Sequence, residues 1–483
     1  MGLLTIGEIA EMMGGTVIDG DPCVTISDYS YNSKEGDSQT LFLPIVGERV
    51  DAHDFISDAA SHGMIATTTE RNRVEEDTTG MTYIAIDNTR DAVQRLGARY
   101  RNCYNIPCIG VTGSVGKTTT KEMIYHGVMN SFNTVKTEGN RNGQLGVPLM
   151  CLKLDEDTEC LILEMGVSEI GEMERLAVIA KPTAAVLTNI GMSHIGNFGS
   201  REKTRREKLA IVNEMDDNGV LLLNGEDELL AELAPGSPCQ KDLNEILLYD
   251  KTLSAIEHIQ RFSYGLSKWC DFRAENVEFS EKGTDFDWVC KDKTVHVRLN
   301  VLGKHNVLNA VAAMALAYIN NADLYKAAEG LAEYRPIAMR GNIELLEDGV
   351  YLIDDSYNAS PDSMKSGLDI LEKVNNPGRK IAVLADMLEL GEYSEECHRL
   401  VGQYVSDSKT DLLCAIGKES EAMAEEVIES GKAEVIYFSD RGEAMEYLLE
   451  SVQPGDAVLC KGSRGMGLDK IAAALRKRVD MEK

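Results

Sequence analysis

Between Gly110 and Met123 the chain reads GVTGSVGKTTTKEM. Gly113 and Gly116, followed directly by Lys117 and a run of threonines, are the residue types that hold a phosphate group. The two glycines let main-chain N–H groups converge on an anion, helped by the start of a helix. The candidate nucleotide-binding residues are Thr112, Gly113, Ser114, Val115, Gly116, Lys117, Thr118 and Thr119. Lys117 can reach β- and γ-phosphates, and the Thr118 hydroxyl can ligate Mg²⁺. A full-length P-loop carries glycine five residues before Gly116, where this chain has Val111, so the spacing is the shorter G-x-x-G-K-T form. The competing reading is an ordinary glycine turn that caps a helix.

A phosphate cradle needs a metal ligand on a neighbouring strand. In CLILEMG an apolar run ends on Glu164, where a carboxylate would meet the phosphate; its plain alternative is a surface glutamate. A second polar strand end, LTNIGMSHIGNFGS, carries Asn189 and His194. The run REKTRREKLAIV is basic in an otherwise acidic chain and by charge alone reads as a solvated helix face.

The elements that must position these residues follow a strand–loop–helix rhythm. From IPCIGVTG onward, the apolar runs CIGV, CLILEMG, AAVLTNIG and GVLLLNG alternate with helical patterns. Continuous apolar runs suit strands buried on both faces, hence a mainly parallel sheet flanked by helices. The stretch 252–302 reads as irregular, and the apolar helix in GKHNVLNAVAAMALAYIN closes this region. A third region repeats the rhythm in VYLIDD, KIAVLADM, DLLCAIG, AEVIYFS and DAVLCKGS. Ligands in such sheets sit at the carboxyl ends of strands, so the loops at Asp354, Asp386 and Lys461 are expected to face one crevice. Before residue 85 the segments are short strands and turns, and 89–102 reads as a helix leading out of them. The fold class is therefore α/β in three domains: a small α/β domain (1–103), a central P-loop ATPase domain with a mainly parallel sheet (104–321) and a Rossmann-like C-terminal domain (322–483).

The chain has 483 residues, 79 acidic and 49 basic side chains and a formal net charge of -30. Such a balance disfavours nucleic acid and anionic lipid as partners. The 11 cysteines are scattered without a C-x-x-C pair, the usage of reduced thiols in a cytoplasmic protein. No run has the length of a membrane span.

TGSVGKTTTKE, LEMGVSEIGE, TNIGMSHIGNFGS, GKHNVLNA, DDSYNASP, DMLELG and KGSRGM occur in this order. Together they resemble the Mur ligases, ATP-dependent enzymes that build the stem peptide of bacterial peptidoglycan. With VGERVDAHDF near the start, DDSYNASP and DMLELG resemble the branch that adds D-alanyl-D-alanine to UDP-N-acetylmuramoyl-tripeptide. The resemblance implies ligation through an acyl phosphate, with ATP and Mg²⁺ (two ions) as cofactors and a monomer as the working unit. It implies that Lys117, Glu164, His194 and Lys208 are catalytic, that Thr118, Glu164, His194 and Lys208 hold metal, and that Lys208 is carbamylated. It places Asn306 at adenine, and Arg340 and Asp355 at the nucleotide's phosphates and ribose. Asn358 and Asn140 are assigned to substrate, as are Asp28, Ser30 and the segment Gly47 to Arg49 near the uridine nucleotide. Gly143, Gln144, Ala210 and Ala385 depart from the residues usual in the family. A single-amino-acid-adding member and a non-enzymatic nucleotide switch stand as alternatives, and no motif distinguishes diaminopimelate from lysine as third residue of the tripeptide.

Overall fold

A computed structural model of the chain describes residues 4–47, 49–70, 79–247, 251–280, 283–291 and 293–481. Glu48, within the segment assigned to the uridine nucleotide, lies outside them. Apart from a two-stranded sheet of Leu4–Thr5 and Thr25–Ile26, the described strands form three large sheets in chain order. In the first, Thr82–Ile86, Ala66–Glu70, Thr40–Phe42 and Asp28–Ser30 run parallel, and Thr16–Asp19 adds antiparallel to Thr82–Ile86. Helix Thr89–Arg101 leaves this sheet, its first turn capped by the Asn88 side chain, which accepts from the Asp91 N–H. One face of the helix (Ala92, Val93, Leu96, Tyr100) is buried. It enters a core shared with Ile84 and Ile86 of the first sheet and Val147, Leu149 and Met150 of the next region. The Tyr100 hydroxyl donates to the Leu154 carbonyl at 2.9 Å and the Tyr29 hydroxyl to that of Leu149. The first and second regions are thus packed as one body.

The central sheet has nine strands, with Cys108–Thr112 between Ala184–Leu187 and Cys160–Glu164. Residues of these strands alternate between two cores: Leu161 and Leu163 face one, Ile109, Val111, Cys160 and Ile162 the other. This two-sided burial is why the runs are continuously apolar. Register sets Glu164 opposite Val111, and Leu187 opposite Thr112, so three strand ends meet at one edge. Helices Lys117–Val128 and Lys304–Ile319 pack together over one face.

The stretch 252–302 corrects the sequence reading. Helix Lys251–His258 is followed by strands Gln260–Gly265, Phe272–Ser280, Gly283–Cys290 and Lys293–Leu299. The first two continue the sheet in parallel, and the last two return antiparallel along its edge. Their alternating, half-exposed pattern conceals them among the buried runs. Helix Leu324–Glu333 packs on Lys117–Val128 and on Lys293–Leu299, and so lies against the central region.

The third sheet runs in the order Asn342–Leu345, Tyr351–Asp354, Ala457–Lys461, Lys380–Ala385, Leu412–Ile416, Glu434–Phe438, parallel apart from its first strand. Among the described residues no cysteine forms a disulfide, and the cysteines on strands are buried. Among the described residues no helix is long and apolar enough to cross a membrane.

Candidate active site

A cleft of about 430 Å³ opens where the carboxyl edges of the central and third sheets face each other. Its floor is the glycine loop. Gly116 (φ 86°) turns the chain into helix Lys117–Val128. A Cβ on Gly113 (φ 145°) would lie 1.9 Å from Thr188 Oγ1, so only glycine fits there. Asn189 shapes the loop from the next strand, its Oδ1 accepting from the N–H groups of Ser114 (3.1 Å) and Val115 (2.8 Å). Not every N–H group of the loop is turned outward. Those two are engaged internally, and the outward donors are those of the helix's first turn, which have no intrahelical acceptor. Lys117 Nζ donates to the carbonyls of Gly113 (2.8 Å) and Ser114 (3.2 Å). Burial lowers its pKa, opposed by the Glu164 carboxylate and reinforced by Arg340.

Glu164 stands beside the loop with 2% exposure. Its N–H donates to Thr137 Oγ1, and buried Lys121 donates to the Thr137 carbonyl. Asn142 Nδ2 donates to Glu164 Oε1 at 2.8 Å, whereas Oε2 is buried and has no hydrogen-bond partner among the described residues. A buried carboxylate oxygen without a partner is costly; beside a phosphate loop it suits a hard cation that keeps water and phosphate oxygens as ligands. Among the described residues no three His, Cys, Asp or Glu side chains converge on one point. The fit is thus to an open Mg²⁺-type site, with Thr118 on the loop as its neighbour.

Helix Arg201–Leu209 carries the basic run and is not a solvated face: Thr204, Arg205, Glu207 and Lys208 are buried. Glu207 accepts from the N–H groups of Gly171 (2.7 Å) and Met173 (2.8 Å), holding the start of helix Glu172–Ala180. Lys208 is 1% exposed; burial and then the charge of Lys117 push its pKa well down, against Glu207. His194, in left-handed backbone, lines the cleft, and burial holds its pKa low despite Glu389 of the third region beside it.

The opposite wall comes from the third region. Arg340 donates to Thr118 Oγ1 at 3.3 Å, its guanidinium stacked 3.8 Å from the centre of the Tyr357 ring. Lys461 Nζ donates to Asp355 Oδ2 (2.6 Å) and to the Asn358 carbonyl (3.0 Å). Asn140 and Asn306 also line the cleft. Asp354 and Asp386 do not: Asp354 is paired with Arg476 at 2.9 Å, and Asp386 accepts from the Ser420 N–H and hydroxyl at 2.8 Å. Of the three loops expected at the crevice, the one after Asp354 lines it through Asp355, Tyr357 and Asn358, as Lys461 does, and the one at Asp386 does not. Asp28 and Ser30 lie on the first sheet, away from the cleft lining, in local turns with Tyr29 and Asn32.

Two family models match the chain, the Mur ligase middle domain over residues 111–317 and the Mur ligase, glutamate ligase domain over 340–464. The UDP-N-acetylmuramoyl-tripeptide--D-alanyl-D-alanine ligase of Bacillus subtilis is 35% identical over 473 residues, 98% of each chain. The chain belongs to the Mur ligase family. The Escherichia coli protein of the same name is 29% identical over 98% of each chain. MurF from Acinetobacter baumannii superposes on this Mur ligase with a TM-score of 0.86 at 28% identity, covering 99% of each chain. MurF from Thermotoga maritima, solved in complex with ADP, does so with a TM-score of 0.78 at 26% identity over 94% of this chain and 98% of that one.

Two of the four positions where this Mur ligase departs from the usual residues are tied into the fold around them. Gln144 donates to the Glu172 carbonyl (3.1 Å) and accepts from Gln94 and Arg175, steadying the loop that presents Asn142. Ala385 is fully buried beneath Gly462. His305 and the contact of Asn142 with Glu164 escaped the sequence reading. His305 lies in the first turn of helix Lys304–Ile319, and burial pushes its pKa to about 4 against the pull of Asp355. Asn142 was visible only as part of an asparagine-rich loop, and its contact with Glu164 spans 22 residues.

Proposed function

We propose that this Mur ligase joins D-alanyl-D-alanine to UDP-N-acetylmuramoyl-tripeptide, consuming ATP and giving the pentapeptide precursor of peptidoglycan, ADP and phosphate. One observation carries the reading: Lys117, the half-paired Glu164 and Arg340 gather at one phosphate loop, in a chain whose relatives of that name match it end to end. A carboxylate is a poor acyl donor, so its oxygen first attacks the γ-phosphorus and ADP departs. The amine of the dipeptide then attacks the acyl carbon of the resulting acyl phosphate, phosphate leaves, and the nitrogen loses a proton. With a pKa of about 7.7–8.0, an α-amine is partly neutral near pH 7.5 and needs little help from a base.

Lys117 and Arg340 offset the repulsion between the two anions and follow charge onto the transferring group. Glu164 and Thr118 hold one Mg²⁺ and His194 a second; bound there, the ions neutralise phosphate charge. Burial beside the charge of Lys117 favours the neutral amine of Lys208, which would suit it to take up CO₂ and present a carbamate to the second ion. Asn306 faces adenine, Asp355 the ribose, Asn140 and Asn358 the incoming peptide groups, and Asp28 and Ser30 the uridine nucleotide. The stretches 1–103, 104–321 and 322–483 serve as UDP-sugar-peptide, ATP and closing domains of a cytoplasmic monomer.

Phosphate release from ATP with UDP-N-acetylmuramoyl-tripeptide tests the reading. Release that requires D-alanyl-D-alanine, with a product heavier by that dipeptide minus water, is the expected result. Release driven by a single L-amino acid would move the enzyme to another step, and none with any amine would overturn the ligase reading.

A further inference from the structure

The central and third regions also meet at the rim of the nucleotide pocket, along segment 192–199 and loop 386–393. Two residues there share an uncommon feature. His194 (φ 58°) and Glu389 (φ 65°) are both non-glycine residues in left-handed backbone, and His194 Nδ1 lies 2.6 Å from Glu389 Oε2. His194 Nδ1 is buried and has no other hydrogen-bond partner among the described residues, so the Glu389 carboxylate is what faces it. Side-chain exposure is 25% for His194 and 59% for Glu389. An ion pair so exposed adds little to stability, and left-handed backbone at two such residues costs some. Stability therefore does not explain why the two are held face to face.

The loop that presents Glu389 is fixed from within its own domain. The Met387 N–H donates to His398 Nε2 (3.0 Å), whose Nδ1 is protonated and donates to the Ser394 carbonyl (2.7 Å). The Leu388 N–H donates to Ser463 Oγ (2.8 Å), and the Ser463 N–H to the Asp386 carbonyl (3.1 Å). The partner segment is seated just as firmly. A Cβ on Gly196 would come within 2.9 Å of Gly391 N and 3.1 Å of the Glu389 carbonyl oxygen, so the two backbones touch. Ile195 is buried in the third region's core, and the Tyr393 hydroxyl donates to the Gly199 carbonyl at 2.8 Å.

We propose that Glu389 is a positioning residue: from the third domain it fixes the His194 ring at the rim of the central domain's phosphate cleft, so that this corner is complete only when the two domains are apposed. The inference rests on the ligase reading for its effect on rate, but not for its effect on the ring. Glu389 is not among the residues that line the cleft, so its removal is expected to leave ATP binding largely intact.

The test compares Glu389→Ala and Glu389→Gln with Glu392→Ala, an exposed neighbour, in the full-length chain. In Glu389→Ala, kcat is expected to fall at least tenfold while KM for ATP changes less than threefold; Glu389→Gln, which can still accept from Nδ1, recovers much of the loss, and Glu392→Ala matches wild type. Nitrogen-15 NMR of the histidine rings, with ADP bound and no divalent ion, uses His194→Gln to identify the His194 signals. They are expected to shift in Glu389→Ala and not in Glu392→Ala. Unmoved His194 signals would overturn the proposal whatever the rates, and so would a shifted ring with wild-type kcat. Because the ring is read without turnover, a wrong assignment of the amine substrate would not be mistaken for either result.

Discussion

Lys208 and Lys461 are both lysines withdrawn almost completely from solvent, 1% and 2% exposed, on facing domains, and they are treated in opposite ways. Lys461 donates to the Asp355 carboxylate at 2.6 Å. Its neighbourhood is equally well matched: Arg476 bonds both oxygens of Glu344 at 2.8 Å and reaches Asp354, and Arg379 meets Asp456 at 2.7 Å. Around Lys208 the nearest influences are burial and another cation, Lys117, opposed by a Glu207 carboxylate already accepting from two backbone N–H groups. Glu164, across the same floor, keeps one buried oxygen without a partner. Removing charge from water without compensation costs stability. A fold carries that cost where a ligand later supplies the missing partner. Charge on the third domain is held by partners of its own, and the unmatched charge on the central domain lies where the chemistry is proposed.

The contrast can be broken by substitution. Lys117→Ala should have the largest effect, lowering phosphate release by on the order of 10²–10³-fold or more with little change in Tm; wild-type-like turnover would remove the loop from the mechanism. Lys208→Ala should lose about 10²-fold in turnover and regain part of it with millimolar short carboxylic acids; full activity without them would make Lys208 an ordinary buried lysine. On the matched side the sign reverses. Arg476→Met should lower stability by about 1–3 kcal/mol, a partly exposed version of breaking a buried pair, with kcat per folded molecule unchanged; chemical denaturation and active-site titration would read the two separately.

The smallest effect concerns pH. Burial lowers the pKa of His398 below its ordinary 6.5, so the folded protein keeps the ring neutral while the unfolded chain takes up a proton. Stability therefore falls as pH drops below about 6.5. The gain in Tm between pH 5 and pH 7.5 should be larger in wild type than in His398→Gln, and equal gains would show that this histidine is not linked to folding.

What the sequence made legible was whatever is local or two-sidedly buried. Runs such as CLILE show their strands because both faces are covered, and the Gly113–Thr118 spacing shows the loop because a tight turn before a helix needs those residues. Lys293–Leu299 was missed because an edge strand alternates, with Val295, Val297 and Leu299 buried between exposed neighbours. The basic run at Arg201–Leu209 misled for a related reason: charge on a helix says nothing of whether another layer covers it. Partnerships across long separations were invisible. No pattern announces that Asn189 captures the N–H groups of Ser114 and Val115, or that Asp386 turns toward Ser420 and away from the crevice. Asp28 and Ser30 rested on resemblance alone, and they sit on a different sheet from the residues that line the cleft.

The core shared by helix Thr89–Arg101 and helix Gly146–Cys151 has a thermodynamic consequence. Three structural domains are present, but the first two bury their apolar faces in each other, whereas the third keeps its own cores and takes Ile195 from its neighbour. Cooperative melting follows shared cores, not sheet boundaries. A calorimetric scan should therefore resolve two transitions rather than three, the larger carrying the first and second domains together. Any lesion in the small first domain is then felt as lost stability of the domain that holds the phosphate loop.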